Sequence, residues 1–290
     1  MLSMSVILEA NPVGTDELSD WIELFLLKSS EKGIGTQKLL SEVKNQLHIE
    51  ENRFALALNT LKKRSNLTSN YPFSIDDVSV VVRENFISSP YLLLLLLSRP
   101  SNLMNWQTPS PTVDEIDAFE TFVCAALAFY FGQNTEAISF GWPSKCGRPE
   151  NFDEAIRWLA MKIGIPVGAM YRPPRRKDGG VDIVVWKKFP DNRSGFQIGL
   201  VQCTLQQNYV SKSRDIDLRL WSRWLDMDRD PMTILAIPNA VPGDQQWKEA
   251  TANSIVFERL RLAHSHVNDL NSDLTEFNKQ LLSSLMKSHA

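Results

Sequence analysis

Three cysteines, four histidines and thirteen glycines in 290 residues leave little basis for several kinds of protein. Cys124, Cys146 and Cys203 are odd in number and far apart in sequence, so they form neither a disulfide framework nor a zinc spacing, which fits a reducing cytoplasm. His48, His264, His266 and His289 include one His-x-His pair without acids at metal spacing, which removes the basis for a histidine metal site or a nucleophilic triad. The chain also lacks a GxxxxGKS/T phosphate loop, a GxGxxG turn after a strand and a GxSxG elbow. Leu92 to Leu97 is the one sustained apolar run, far short of the ~20 residues that cross a bilayer, and it reads as a buried helix. No basic segment precedes an apolar core at the N-terminus, so no signal peptide and no membrane partner are expected. Charge of one sign is missing too: 31 basic against 34 acidic residues give a net charge of -3, so any nucleic-acid binding must come from a local patch.

What remains is an ordinary globular composition, 43% hydrophobic and 22% charged, in a chain long enough for a small domain joined to a medium one. Residues Leu18, Trp21, Ile22, Phe25 and Leu26 repeat at helical spacing, and Gly33 and Gly35 stop that helix. Further helices are expected at Thr36 to Leu47 and from about Glu50 to Arg64, the latter ending in the basic triplet Lys62-Lys63-Arg64. Extended segments follow near Tyr71 to Ile75 and Val78 to Val82. Three short helices and then two strands are the order of a winged helix, with the third helix as the groove reader. Glu50 and Glu51 stand at its start, where base contacts would be made, and a small helical packing domain accounts for the same pattern. The stretch Pro100 to Pro111, rich in Pro, Ser, Asn and Thr, reads as a boundary. The expected division is residues 1–100, a linker at 101–112, and a second domain at 113–290.

That second domain is organised around Tyr171 to Tyr209. Two apolar runs, Val181 to Trp186 and Phe196 to Cys203, flank the turn-forming segment Phe189 to Gly195 and read as a hairpin. Antiparallel pairing brings Asp182, at the start of one strand, to the same end as Gln202 and Thr204 on the other. Upstream, Arg172, Arg175, Arg176 and Lys177 offer positive charge to a phosphate backbone. An acid and an amide oxygen under a basic loop are donors that suit a divalent metal set against a phosphodiester. Taken singly, Asp182 is equally a strand-end acid pairing with an arginine, and Gln202 an amide satisfying a sheet edge.

The order Lys177-Asp178-Gly179-Gly180-Val181-Asp182, a hairpin, and Gln202-x-Thr204 resembles the active-site core of PD-(D/E)xK nucleases. It is nearest to the Mrr-like branch of restriction endonucleases, in which a G-[IVL]-D strand precedes a strand ending in (E/Q)xK. The resemblance spans roughly Asp114 to Arg261. It implies an α/β restriction-endonuclease-like core, a four-stranded mixed sheet flanked by helices, that cuts DNA with Mg2+ or Mn2+. It further implies Asp182 and Gln202 as metal ligands, with Glu120 as a third acid on the preceding helix. Thr204 stands where the family has its catalytic lysine, and a hydroxyl supplies no positive charge for the transition state. Lys212, or Lys177 in the basic loop, is the expected substitute. The function implied is a metal-dependent nuclease of bacterial restriction or anti-phage defence, working with a partner such as an ATPase or helicase, or as a homo-oligomer. The alternatives are an impaired nuclease fold that grips DNA without cutting, and a subunit that docks through the amphipathic segment Leu260 to Leu285.

Around the hairpin, helices are expected from Asp114 or Glu115, at Asn151 to Ile163, at Val210 to Met227, at Gln245 to Ala252 and from Leu260 onward. Strands are expected at Val167 to Tyr171 and Met232 to Ile237, with Ile255 to Phe257 as an edge.

Overall fold

The computed structural model describes residues 13–29, 31–99, 110–144, 146–168, 173–174, 176–243, 245–266 and 269–287. The N-terminal part runs α1 (Thr15–Lys28), β1 (Gly33–Gly35), α2 (Thr36–Leu47), α3 (Glu51–Leu67), β2 (Phe73–Ile75), β3 (Ser79–Val82) and α4 (Pro90–Ser98). Its three short strands form an antiparallel sheet in the order β1-β3-β2. Helix α4 starts on a Ser89 side-chain cap with Pro90 in its first turn, and its six leucines are buried all round.

The second part contains α5 (Val113–Phe131), β4 (Thr135–Ser139), α6 (Phe152–Ile163), β5 (Ile183–Lys187), β6 (Gln197–Cys203), α7 (Tyr209–Lys212), α8 (Leu218–Trp224), β7 (Met232–Ala236), α9 (Gln245–Thr251), β8 (Ile255–Phe257), α10 (Arg259–His264) and α11 (Ser272–Lys287). The start of α5 is written locally as Thr-x-x-Glu. Thr112 accepts from the Glu115 N–H, and the Glu115 carboxylate accepts the Thr112 N–H at 2.7 Å, a closed capping box. The Asn151 side chain caps α6 by accepting the Asp153 and Glu154 N–H groups, and Gly164, at φ 78°, ends it.

The main sheet is mixed and has five strands in the order β4-β5-β6-β7-β8, one more than the four expected. β4, β5 and β6 are antiparallel neighbours, while β7 and β8 run parallel to β6. Side chains alternate across it. Ile183, Val185 and Val201 join the large core that also holds the α1, α4 and α5 apolar residues, whereas Val184, Trp186 and Leu200 pack on the other face with α6, Trp221 and Trp224. The large core is therefore continuous from Leu18 through Leu92 to Leu97 into the sheet.

One strand is unexpected and three expected elements differ. The first strand of the sheet is Thr135–Ser139, a half-buried segment with no clear alternation and thus little signal in sequence. Val167, just after Pro166, makes only an isolated bridge to Leu225, the Gly168 N–H donates to the Trp224 carbonyl at 2.8 Å, and the last three residues of the expected strand, 169–171, lie outside the described residues. The helix expected over Val210 to Met227 is two short helices, because the Asp215 N–H returns to the Lys212 carbonyl and Asp217 caps α8 afresh. The segment after Leu260 is likewise divided between α10 and α11, with Asn271 accepting from the Leu274 N–H at the second start. No described helix is long and apolar enough to cross a membrane.

A buried ion network joins α1 to α10. The Arg259 guanidinium grips both Asp20 oxygens at 2.6 and 2.9 Å, and Arg64 donates to Asp20 at 2.6 Å and to Glu23 at 3.1 Å. Arg64 is thus not part of a solvated basic helix end: it is almost fully buried, and Lys62 beside it pairs with Asp77. Of the basic triplet at the end of α3, Arg64 is turned inside while Lys63 stays exposed.

Candidate active site

The pairing register of the hairpin builds the site. Ile183 lies opposite Val201, so one step further Asp182 faces Gln202, and the Asp182 N–H donates to the Val201 carbonyl at 2.8 Å. On the other side the Phe140 and Gly141 N–H groups both donate to the Asp182 carbonyl, at 2.7 and 3.0 Å, where β4 ends. The carboxyl end of β4, the start of β5 and the carboxyl end of β6 therefore meet at one edge of the sheet, the edge where open α/β sheets place ligands.

The Asp182 side chain is held there by amide donors. Its Oδ2 accepts from the Gln202 Nε2 at 2.5 Å and from the Cys203 N–H at 2.7 Å. Among the described residues no lysine or arginine lies within ion-pairing distance of it. Burial is the main force on its titration and pushes the carboxyl up to about 8. The Cys203 N–H pulls down, Glu120 and Asp178 push further up, and Lys212 pulls down. Glu120 is buried on α5, and its charge acts on Asp182 and on the Cys203 and Cys124 thiols. Gly141 leaves the Asp182 Oδ1 side open, since a Cβ there would stand 3.4 Å from that oxygen.

The structure brings Asp182 and Gln202 into contact, while Glu120 and Lys212 lie near enough for their charges to act on Asp182. Lys177 is directed elsewhere: its Nζ lies 4.2 Å from the centre of the Trp142 ring, a cation-π contact, instead of over Asp182. Arg176 donates to Asp215 at 2.6 Å. Arg172 and Arg175 fall outside the described residues. Thr204 is not turned to chemistry either, for its Oγ1 accepts the Gln206 N–H at 3.1 Å and shapes the turn after β6.

Arg148 is the residue that sequence reading missed. It is 3% exposed, its Nη atoms donate to the Pro149 and Lys177 carbonyls, and its guanidinium lies 4.4 Å from the centre of the Phe140 ring. Among the described residues its Nε has no hydrogen-bond partner. Burial pulls its pKa down while Asp178 pulls it up. Only its Gly-Arg-Pro setting in a loop after β4 hinted at a fixed position.

The donors suit a hard divalent cation in part. Asp182 and Glu120 supply carboxyl oxygens, and Gln202 stands beside Asp182, although its amide nitrogen is the atom facing that carboxyl. No group of three or more His, Cys, Asp or Glu side chains placed to hold a metal occurs among the described residues. Comparison of the chain with protein-family models, with curated proteins and with solved structures finds no match.

Proposed function

We propose that this protein is a metal-dependent nuclease that hydrolyses phosphodiester bonds in DNA, with a PD-(D/E)xK-like site at Asp182, Gln202 and Glu120. The observation that carries the reading is the buried Asp182 carboxyl, pushed up to about 8, bonded to Gln202, acted on by the charge of Glu120 and without an ion-paired lysine or arginine among the described residues. Desolvating an acid without pairing it is costly, and such arrangements cluster at functional sites. The element order supports it: a helix bearing Glu120, a Gly-Gly-Val-Asp strand start, and an antiparallel strand ending on Gln202. A bound Mg2+ or Mn2+ would supply the positive charge that activates water and offsets charge on the phosphate. Asp182 and Glu120 would hold it, with Gln202 as a neutral donor, and Lys212 would face the developing charge.

The N-terminal part, whose core is continuous with that of the sheet, would present the duplex in winged-helix fashion. In this reading the protein serves bacterial defence in the cytoplasm, together with a motor such as an ATPase or helicase.

A second reading is favoured by one observation. The Gln202 nitrogen already satisfies Asp182, and Thr204 is locked in its turn, so the site closes on itself without metal. On this reading the chain grips DNA or a partner and does not cut.

The two separate in one experiment: supercoiled plasmid, linear duplex and single-stranded DNA are incubated with the purified chain and Mg2+ or Mn2+, beside Asp182→Ala. Metal-dependent cutting that the substitution abolishes is the expected outcome. DNA binding that falls steeply with salt, survives the substitution and brings no cutting would replace it with the second reading.

A further inference from the structure

Lys212 and Asp182 come from different elements, and the packing of Gly180 on Asp215 brings the two segments into contact. Gly180, two residues before Asp182, has φ 79° and lies against the backbone of Asp215: a Cβ on Gly180 would sit 2.5 Å from the Asp215 carbonyl oxygen. Asp215 in turn donates its backbone N–H to the Lys212 carbonyl at 3.1 Å. Its carboxylate gathers two cations, Arg176 at 2.6 Å and the Lys212 Nζ at 3.4 Å. The Asp215 and Lys212 side chains are 17% and 21% exposed, so this is a partly shielded contact and not a solvent-facing pair. Arg176, by contrast, is half exposed, at the rim of a cleft that also includes Gly179, Gly180 and Arg214.

From this geometry we infer that Asp215 is a positioning residue: its carboxylate holds the Lys212 ammonium beside the Asp182 site, in place of the lysine that Thr204 does not supply, and ties it to Arg176 in the basic loop. The role rests on the nuclease reading of the site. A backbone phosphate that engages Arg176 would then contact the same short network that orients Lys212, which links substrate entry to the catalytic cation.

The test combines cleavage kinetics with a readout that needs no activity. Asp215→Asn, Lys212→Ala and the double variant are compared with the wild-type chain after thermal melting has confirmed that each is folded. Lys212→Ala is expected to lower kcat about 10²-fold and Asp215→Asn about tenfold, with the KM for DNA unchanged in both. The double variant is expected to fall no further than Lys212→Ala alone, because both substitutions remove the same cation from the site. In parallel, acetic anhydride labelling read by mass spectrometry should find the Lys212 amine several times more reactive in Asp215→Asn. Cleavage retained by Asp215→Asn, losses that multiply in the double variant, or unchanged Lys212 labelling would overturn the positioning role while the nuclease reading stands. Absence of cleavage in the wild-type chain would overturn the reading of the site and this role with it.

Discussion

Asp20 and Asp182 are both carboxylates taken out of water, and the protein treats them in opposite ways. Burial works to raise Asp20, but the Arg259 and Arg64 guanidiniums outweigh it and hold the acid below its ordinary value. At Asp182 burial works in the same direction, the nearest donors are amides, and the carboxyl rises to about 8. Asp20 ties α1 to α10 across most of the chain, and Ser98, Tyr91 and the Pro238 carbonyl take up the remaining Arg259 donors. Asp182 stands at a sheet edge with Gly141 leaving one oxygen uncrowded. A buried acid fully matched with cations is a structural fastening, while one left unmatched marks a place where a ligand would complete the charge balance.

The contrast breaks most visibly if one partner is removed from the fastening. Arg259→Met leaves Asp20 with Arg64 alone and is expected to destabilise the protein by about 3–5 kcal/mol, read from denaturant unfolding. A loss within experimental error would mean that the network is not what joins α1 to the second part.

Removing charge from Asp182 should do the reverse. Its folded-state pKa is raised, so its contribution to stability is complete below the ordinary carboxylate range and is lost as pH rises to about 8. Between those limits the wild-type chain should lose up to about 1.4 kcal/mol per pH unit through this group, and Asp182→Asn should flatten that part of the profile. Asp20 acts with the opposite sign. Its lowered pKa gives stability that is present above the ordinary carboxylate range and lost as pH falls through the folded value. Acid unfolding of Asp182→Asn should therefore still report Asp20, and a variant whose profile matched wild type at every pH would erase the distinction.

The smallest effect is expected at Thr204. Thr204→Val keeps the shape and removes the oxygen that accepts the Gln206 N–H, which should cost about 1 kcal/mol without altering the metal response of the site. A large change in metal response would instead make that hydroxyl part of the chemistry.

Much of the second part was legible because its signals are local. The hairpin announced itself through two apolar runs and the turn formers between them, and a period of two then fixed which residues face each other. The capped starts of α5 and α6 were equally readable from Thr112, Glu115 and Asn151. The parts that sequence did not disclose depend on distant partners. Arg64 looked like the solvated end of a helix because its acids, Asp20 and Glu23, arrive from another helix. Lys177 looked available for catalysis because nothing in the sequence ties it to Trp142. Strand β4 was passed over because Thr-Glu-Ala-Ile-Ser, at the margin of the sheet, is neither strongly apolar nor cleanly alternating. Arg148 and Asp215 escaped for the same reason, since each owes its place to backbone contacts with the Lys177 to Gly180 loop.

The most direct test of the central claim, that the buried Asp182 carboxyl belongs to a metal site, is calorimetric titration of Mn2+ at pH 7. Wild type and Asp182→Asn are compared in two buffers of different ionisation enthalpy. Because Asp182 holds a proton up to about 8, the wild-type chain should release close to one proton per metal bound, and its affinity should rise about tenfold per pH unit until that point. Asp182→Asn should show neither the proton release nor comparable binding. Binding that Asp182→Asn leaves intact, or no binding to the wild-type chain at all, would contradict the account.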